Sequence, residues 1–200
     1  MLSVIKSSVV SLSALTLMIS ACAQSEPDTE SKVEVGPPPV SLTVLEFGGP
    51  NTLFAADDVQ NKIYALELAE LPDETGNLQS VPYNLVGFGS QLAAFFEISP
   101  FAITYHDLAV HPVTKSAFVS LSMSSETGDQ SALVMVSPQG EIVNLDYETL
   151  TYTSVDIAEP ANPDVTFWRD IPAPTLSVTD FEFDDGQLYV AGLSNGEFAS

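Results

Sequence analysis

From residue 41 onward, short runs of alternating apolar and polar residues are bounded by Gly, Pro, Asn or Asp. "LTVLEFGG" (42–49) alternates, "PN" (50–51) turns the chain, and "TLFAADD" and "KIYALEL" follow. Alternation with a period of two buries one face of a strand, and the intervening residues tolerate turn geometry, so the pattern predicts antiparallel hairpins. "SALVMVSPQGEIVNLDY" (131–147) adds another, with Ser137 to Gly140 as a type I or II turn. One stretch departs from the pattern. In "YNLVGFGSQLAAFFEIS" (83–99), Leu85, Phe88, Leu92 and Phe95/Phe96 fall near helical spacing. They predict a helix over about 90–98, capped by Ser90 and packed on a sheet. The segment has no basic residue to hold it at a membrane surface. Residues 158–175, rich in proline and without a period, predict a loop gripped by Trp168.

Comparing the chain with itself gives one pattern three times: "VLEFGGPNTLFAAD" (44–57), "DLAVHPVTKSAFVSL" (107–121) and "DFEFDDGQLYVAGL" (180–193). Leu45, Leu108 and Phe181 correspond, as do Phe47, Val110 and Phe183. On the exit strand Phe54, Phe118 and Tyr189 correspond, followed by Ala55, Val119 and Val190. Hairpins repeated at long intervals, with aromatic and small residues on the second strand, suggest a radial β architecture. Here the chain resembles bacterial β-propellers of the broad NHL-like and quinoprotein-like kind. The resemblance implies an all-β fold, an incomplete propeller-like array of antiparallel hairpins with one short inserted helix. It comprises two nearly complete blades and the first hairpin of a third over residues 41–200, and the chain is read as a piece of a longer protein. A β-sandwich with the same hairpins is the competing architecture, separated by strand order.

The first forty residues read differently. Lys6, an apolar stretch from Val9 to Ile19 and then small residues form a secretory signal, too short for a transmembrane span. "ISAC" (19–22) resembles the lipobox of bacterial lipoproteins. That resemblance implies cleavage between Ala21 and Cys22, a signal peptide over 1–21, and diacylglyceryl transfer to the Cys22 sulfur. A thiolate is a competent nucleophile, and several acyl chains, at about 0.8 kcal/mol per buried CH₂, give a durable anchor. Cys22 is the single cysteine, which excludes an intrachain disulfide. Ala23, where lipoproteins retained at the inner membrane often carry Asp, favours the outer membrane facing the periplasm. Residues 22–40, rich in Pro, Ser and Glu, read as a disordered acylated tether stiffened by Pro37 to Pro39, with a Pro-rich recognition motif as the alternative.

Charge narrows the partners. A formal net charge of −22 repels phosphate backbones and anionic headgroups, so nucleic acid is not expected and membrane contact falls to the lipid anchor. His106 and His111 lie five residues apart on one strand and so on opposite faces, which does not suit a shared metal. Asp184-Asp185-Gly186 reads as a tight turn and not as a calcium loop, and Asp57-Asp58 is read likewise. Asp107 and Asp180 occupy equivalent positions, with Val44 in the first copy. In a propeller they would border the central channel and hold a cation or polar ligand; alternatively each accepts backbone N–H bonds in its own loop. No nucleophile elbow, dinucleotide fingerprint or phosphate loop is present, so no catalytic residue, metal site or cofactor is assigned. The sequence therefore points to a lipid-anchored, extracytoplasmic binding or scaffold module for a protein or small polar ligand. The alternative is part of a periplasmic propeller enzyme of lactonase, glycan-processing or quinone-dehydrogenase type, with its site completed by further blades.

Overall fold

A computed structural model describes residues 36–68, 85–147, 149–167 and 170–194. The first hairpin is β1 (Leu42–Gly49) and β2 (Thr52–Asp57), extended by β3 (Lys62–Glu67). Helix α1 (Phe88–Phe95) and a 3₁₀ turn lead to β4 (Ile103–Val110), β5 (Ala117–Ser125), β6 (Gly128–Val136) and β7 (Ile142–Leu145). Then come β8 (Thr151–Asp156), the short pair β9 (Thr166–Phe167) and β10 (Ile171–Pro172), a second 3₁₀ turn, and the last hairpin, β11 (Asp180–Asp184) and β12 (Gln187–Ala191). All described sheets are antiparallel: β1-β2-β3-β8, β4-β5-β6-β7, β9-β10 and β11-β12. The chain is thus mostly β. The described strands form no closed barrel and no closed ring of blades.

The three copies of the repeat are three hairpins in one register. Leu45 lies opposite Ala55, Leu108 opposite Val119 and Phe181 opposite Val190. Two pairs further on, Phe47 faces Leu53, Val110 faces Ala117 and Phe183 faces Leu188. In the third copy Asp185 and Gly186 both have positive φ, the geometry of a two-residue type I′ turn.

These hairpins stack face to face. Leu45, Leu53, Ala55, Tyr64 and Leu66 of the first sheet bury against Ala109, Phe118 and Leu133 of the second. The opposite face of the first sheet, with Val44, Ala56 and Phe54, packs on Phe181 and Leu188 of the last hairpin. The far face of the second sheet, with Val119, Leu121 and Val134, is covered by Leu92 and Phe88 of α1 and by Leu85 just ahead of it. The layers therefore run α1, second sheet, first sheet, last hairpin. Consecutive copies are not simply consecutive layers, because the third copy stacks on the first and not on the second.

The structure differs from the sequence reading at the helix and the tether, and it places two further features. The helix begins at Phe88, with Gly87 at its cap in left-handed geometry, so Ser90 lies inside the helix. Asp107 sits in the middle of β4, after a bulge at His106. The fourth strand of the first sheet is β8, which follows the second sheet in sequence. Gly36 to Val40, the end of the expected tether, are bound to the fold. Trp168, Ala21, Cys22 and the signal segment lie outside the described residues.

The bound arm crosses the first sheet from β8 towards β1. Tyr152 Oη donates to the Gly36 carbonyl (3.1 Å), Tyr64 Oη to Pro37 (2.9 Å) and Gln60 Nε2 to Pro38 (2.8 Å). The Val40 and Ser41 N–H groups then donate to Asp57 Oδ2, at 2.7 and 3.1 Å. An extended proline-type segment advances ~3.1 Å per residue, so five steps match three strand spacings of ~4.8 Å. Pro39 is buried, and Pro38 and Pro39 line a cleft of about 280 Å³ with Ser131 and Asn144 of the second sheet and Tyr147 just beyond it.

Two phenols in this region titrate late. Burial, reinforced by the Asp57 charge, pushes Tyr64 up to about 12, and burial does the same for Tyr147. Groups whose folded pKa is raised hold their proton more tightly in the native state, so their contribution is intact below the ordinary value of 10 and is lost as pH rises towards 12. Chemical unfolding followed between pH 9 and 12 should show falling stability, and Tyr64→Phe with Tyr147→Phe should flatten that fall. A wild-type profile no steeper than the double variant's would refute the assignment. Stacking makes a second prediction from equivalent repeat positions. Leu45 is 4 % exposed and Leu108 54 %. Leu45→Ala should cost ~2–4 kcal/mol in denaturant unfolding and Leu108→Ala less than ~1 kcal/mol.

Candidate functional site

The first strands of the three stacked hairpins lie side by side, with β1 between β4 and β11. This arrangement gathers carboxylates from separate parts of the chain. Asp107 comes from β4, Glu46 from β1, and Asp180 and Glu182 from β11.

Asp107 is the most constrained. Its Oδ1 accepts from the next residue's N–H, Leu108 (2.7 Å), and its Oδ2 accepts from Leu45 N–H across the sheet interface (2.8 Å). Its own N–H donates to Ser120 Oγ, at 3.1 Å. Asp180 repeats the local half of this pattern, with Oδ1 accepting from Phe181 N–H at 3.0 Å. In the first copy Val44 has no carboxylate, so Leu45 N–H lacks that local acceptor and is taken by Asp107 of the neighbouring sheet. A backbone N–H donated to a carboxylate is a charge-assisted bond and holds the two sheets in register.

Glu46 registers the crowding. Burial raises its pKa above the usual carboxylate range, and the charges of Glu182, Asp180 and Asp107 raise it further in that order. The edge thus places three carboxylates within electrostatic reach of Glu46, a surface that favours a positive charge. Among the described residues, no cluster of three or more His, Cys, Asp or Glu is placed to hold a metal ion.

Asp107 and Asp180, singled out from the repeat, are therefore brought to one edge, although Asp107 is largely engaged in holding the sheets. Glu46 and Glu182 were missed. The signal was there: "LEF" and "FEF" align, so the glutamates are equivalent residues of the first and third copies.

Other candidates have structural employment. His111 is buried; Nε2 lies 2.7 Å from the Pro50 carbonyl, while Nδ1 accepts from Val113 and Thr114 N–H at 3.1 and 3.0 Å. Its ring packs edge-on to Phe47 and stacks with Phe118. It organises its own loop and ties that loop to the turn of the first hairpin. His106 occupies the β4 bulge, is exposed, and lies within electrostatic reach of Asp58. Asp57 accepts from Val59 and Gln60 N–H through Oδ1, and from the arm and Gln60 Nε2 through Oδ2. Burial raises the Asp58 pKa, partly opposed by a hydrogen bond from Ser41.

No helix among the described residues is long and apolar enough to cross a membrane. No protein-family model matches the chain, and neither a curated protein nor a solved structure matches it significantly.

The Glu46 shift has a defined pH signature. A carboxyl with a raised folded pKa stabilises the native state while protonated, and that advantage is lost as pH rises above its ordinary value. Glu46→Gln should raise the melting temperature at pH 7 by roughly 1–3 °C, and the two proteins should converge below pH 4. A variant equally shifted at both pH values would disprove the electrostatic cause.

Proposed function

We propose that the chain is a lipid-anchored, extracytoplasmic binding module of propeller-like build, which receives a positively charged or polar group at the edge formed by Glu46, Asp107, Asp180 and Glu182. One observation supports the reading: the first strands of three stacked hairpins lie side by side, and each contributes a carboxylate to the same edge. In radial β folds such edges border the axis where ligands enter. The absence of a metal-type cluster among the described residues directs the choice to an organic cation, which needs dispersed charge and not a fixed coordination shell. The anchor half of the proposal rests on Ile19-Ser20-Ala21-Cys22, and the −22 charge leaves the lipid as the means of holding this protein to an anionic bilayer.

The two halves separate experimentally. In a bacterial host, Cys22→Ala should abolish incorporation of an alkyne fatty acid, and continued labelling would remove the anchor. For the edge, spermidine titrated calorimetrically at low salt should bind the Glu46→Gln/Glu182→Gln variant about tenfold more weakly than wild type. A control with the hairpin-tip changes Glu126→Gln/Asp129→Asn should retain wild-type affinity. Equal weakening in both would reduce the effect to net charge and refute the site.

A further inference from the structure

The docked arm is held in a way that differs from the rest of the fold. Its polar ties described above run through side chains: two tyrosine hydroxyls and a glutamine amide read three successive carbonyls, and one carboxylate takes the two N–H groups that follow. This division suits proline, which offers a carbonyl and no N–H. Tyr64 and Tyr152 also pack edge to face, their ring centroids 5.6 Å apart, giving the paired aromatic wall on which extended proline segments are commonly recognised.

The first position is read by size. Ser154 is 6 % exposed, and its Oγ is buried without a hydrogen-bond partner. That atom lies directly beneath Gly36, where an added Cβ would stand 2.5 Å from it. A buried, unsatisfied hydroxyl aimed at the one residue lacking a side chain is an independent mark of selectivity, because any larger residue has to displace it. At the other end Pro39 is buried and lines the cleft against the second sheet.

We propose that the groove formed by Tyr152, Ser154, Tyr64 and Gln60 is a recognition site for an extended Gly-Pro-Pro-Pro segment. Residues 36–39 fill it here, and the same sequence in a partner protein can occupy it once the arm is withdrawn. The site is separate from the acidic edge and does not rest on the function proposed for that edge. Tethering gives the resident arm a large concentration advantage, so a partner competes effectively only after the arm is pulled away or removed.

A variant starting at Ser41 tests this, with the acetylated peptide Val-Gly-Pro-Pro-Pro-Val-Ser as probe at up to about 1 mM, the effective concentration a short tether supplies. If the trimmed chain folds, saturable binding measured by fluorescence anisotropy is expected; if it does not, the peptide should restore its near-ultraviolet circular dichroism. Neither result at that concentration would overturn the site. Replacing the peptide's Gly by Ala should weaken the effect at least tenfold, and Ser154→Gly should restore it. Equal response to the Gly and Ala peptides would overturn the selectivity claim. In the full chain, Gly36→Ala should lower the melting temperature and Ser154→Gly should recover it, while an unchanged Gly36→Ala protein would show that the register is wrong.

Discussion

A carboxylate removed from water must be surrounded by donors or it destabilises whatever encloses it. Asp57 has no exposed surface and collects donors from two places. Val59 and Gln60 belong to the turn after β2, while Val40 and Ser41 belong to the arm arriving from the other side of the sheet. The turn is shaped by wrapping one oxygen, and the arm is positioned by the other. The path of the arm decides where Pro38 and Pro39 lie, and they form one wall of the cleft whose other wall is the second sheet. At other points of that interface Asp107 takes Leu45 N–H, and His111 meets the Pro50 carbonyl. Three polar side chains thus fix a contact whose bulk is apolar. Apolar packing supplies most of the free energy there, but it is non-directional, and the polar bonds select one register.

That register explains how equivalent repeat residues acquire different roles. Leu45 and Phe181 point towards a neighbouring layer and are buried, whereas Leu108, at the same repeat position, points out of the stack beside α1. Asp107 points the other way, towards the first sheet, and finds a backbone N–H that is available because the first copy carries Val44. A repeat supplies the hairpin; its place in the stack decides what each position does. The acidic edge follows from the same geometry, since β4 and β11 flank β1 and bring Asp107, Asp180 and Glu182 within range of Glu46 whatever their separation in sequence.

Much of this was legible because its causes are local. Alternation marked the strands, Asp185-Gly186 marked a turn through positive φ, and pairing between Leu45 and Ala55, Leu108 and Val119, and Phe181 and Val190 was implicit in the aligned copies. What escaped depends on contacts between distant residues. Gly36 is read by Tyr152 and Ser154, far along the chain, and no period or motif links them. Pro37 to Pro39 looked like a spacer because composition reports stiffness and says nothing of what lies opposite. The start of α1 was misplaced for a different reason: Ser90 is a good capping residue, but Gly87 could take left-handed geometry and let the helix begin earlier, bringing Phe88 onto the second sheet. For the candidate edge, Asp107 and Asp180 were visible as matched positions, while Glu46 acquired interest only once β11 lay beside β1.

The position of β8 bears on how rigid that edge can be. A purely consecutive array would let each sheet complete itself before the next formed. Here β7 ends the second sheet, and a short link carries the chain back to pair β8 along the whole of β3. The first sheet therefore gains its outer strand only after the second sheet has been traversed, and β8 also supplies Tyr152 and Ser154 to the arm groove. Closing so long an excursion costs chain entropy that independent hairpins would avoid, and it slows folding. In return, the two sheets, the arm and the turn at Asp57 share strands and hydrogen bonds, so none can open alone without breaking contacts in another. Carboxylates held close together repel one another, and a loosely joined array would relax by parting its strands. Interlocking the sheets behind the edge opposes that relaxation, and it keeps Glu46 partly buried and beside Glu182 and Asp180, with its proton affinity raised by the burial first and by their charges second.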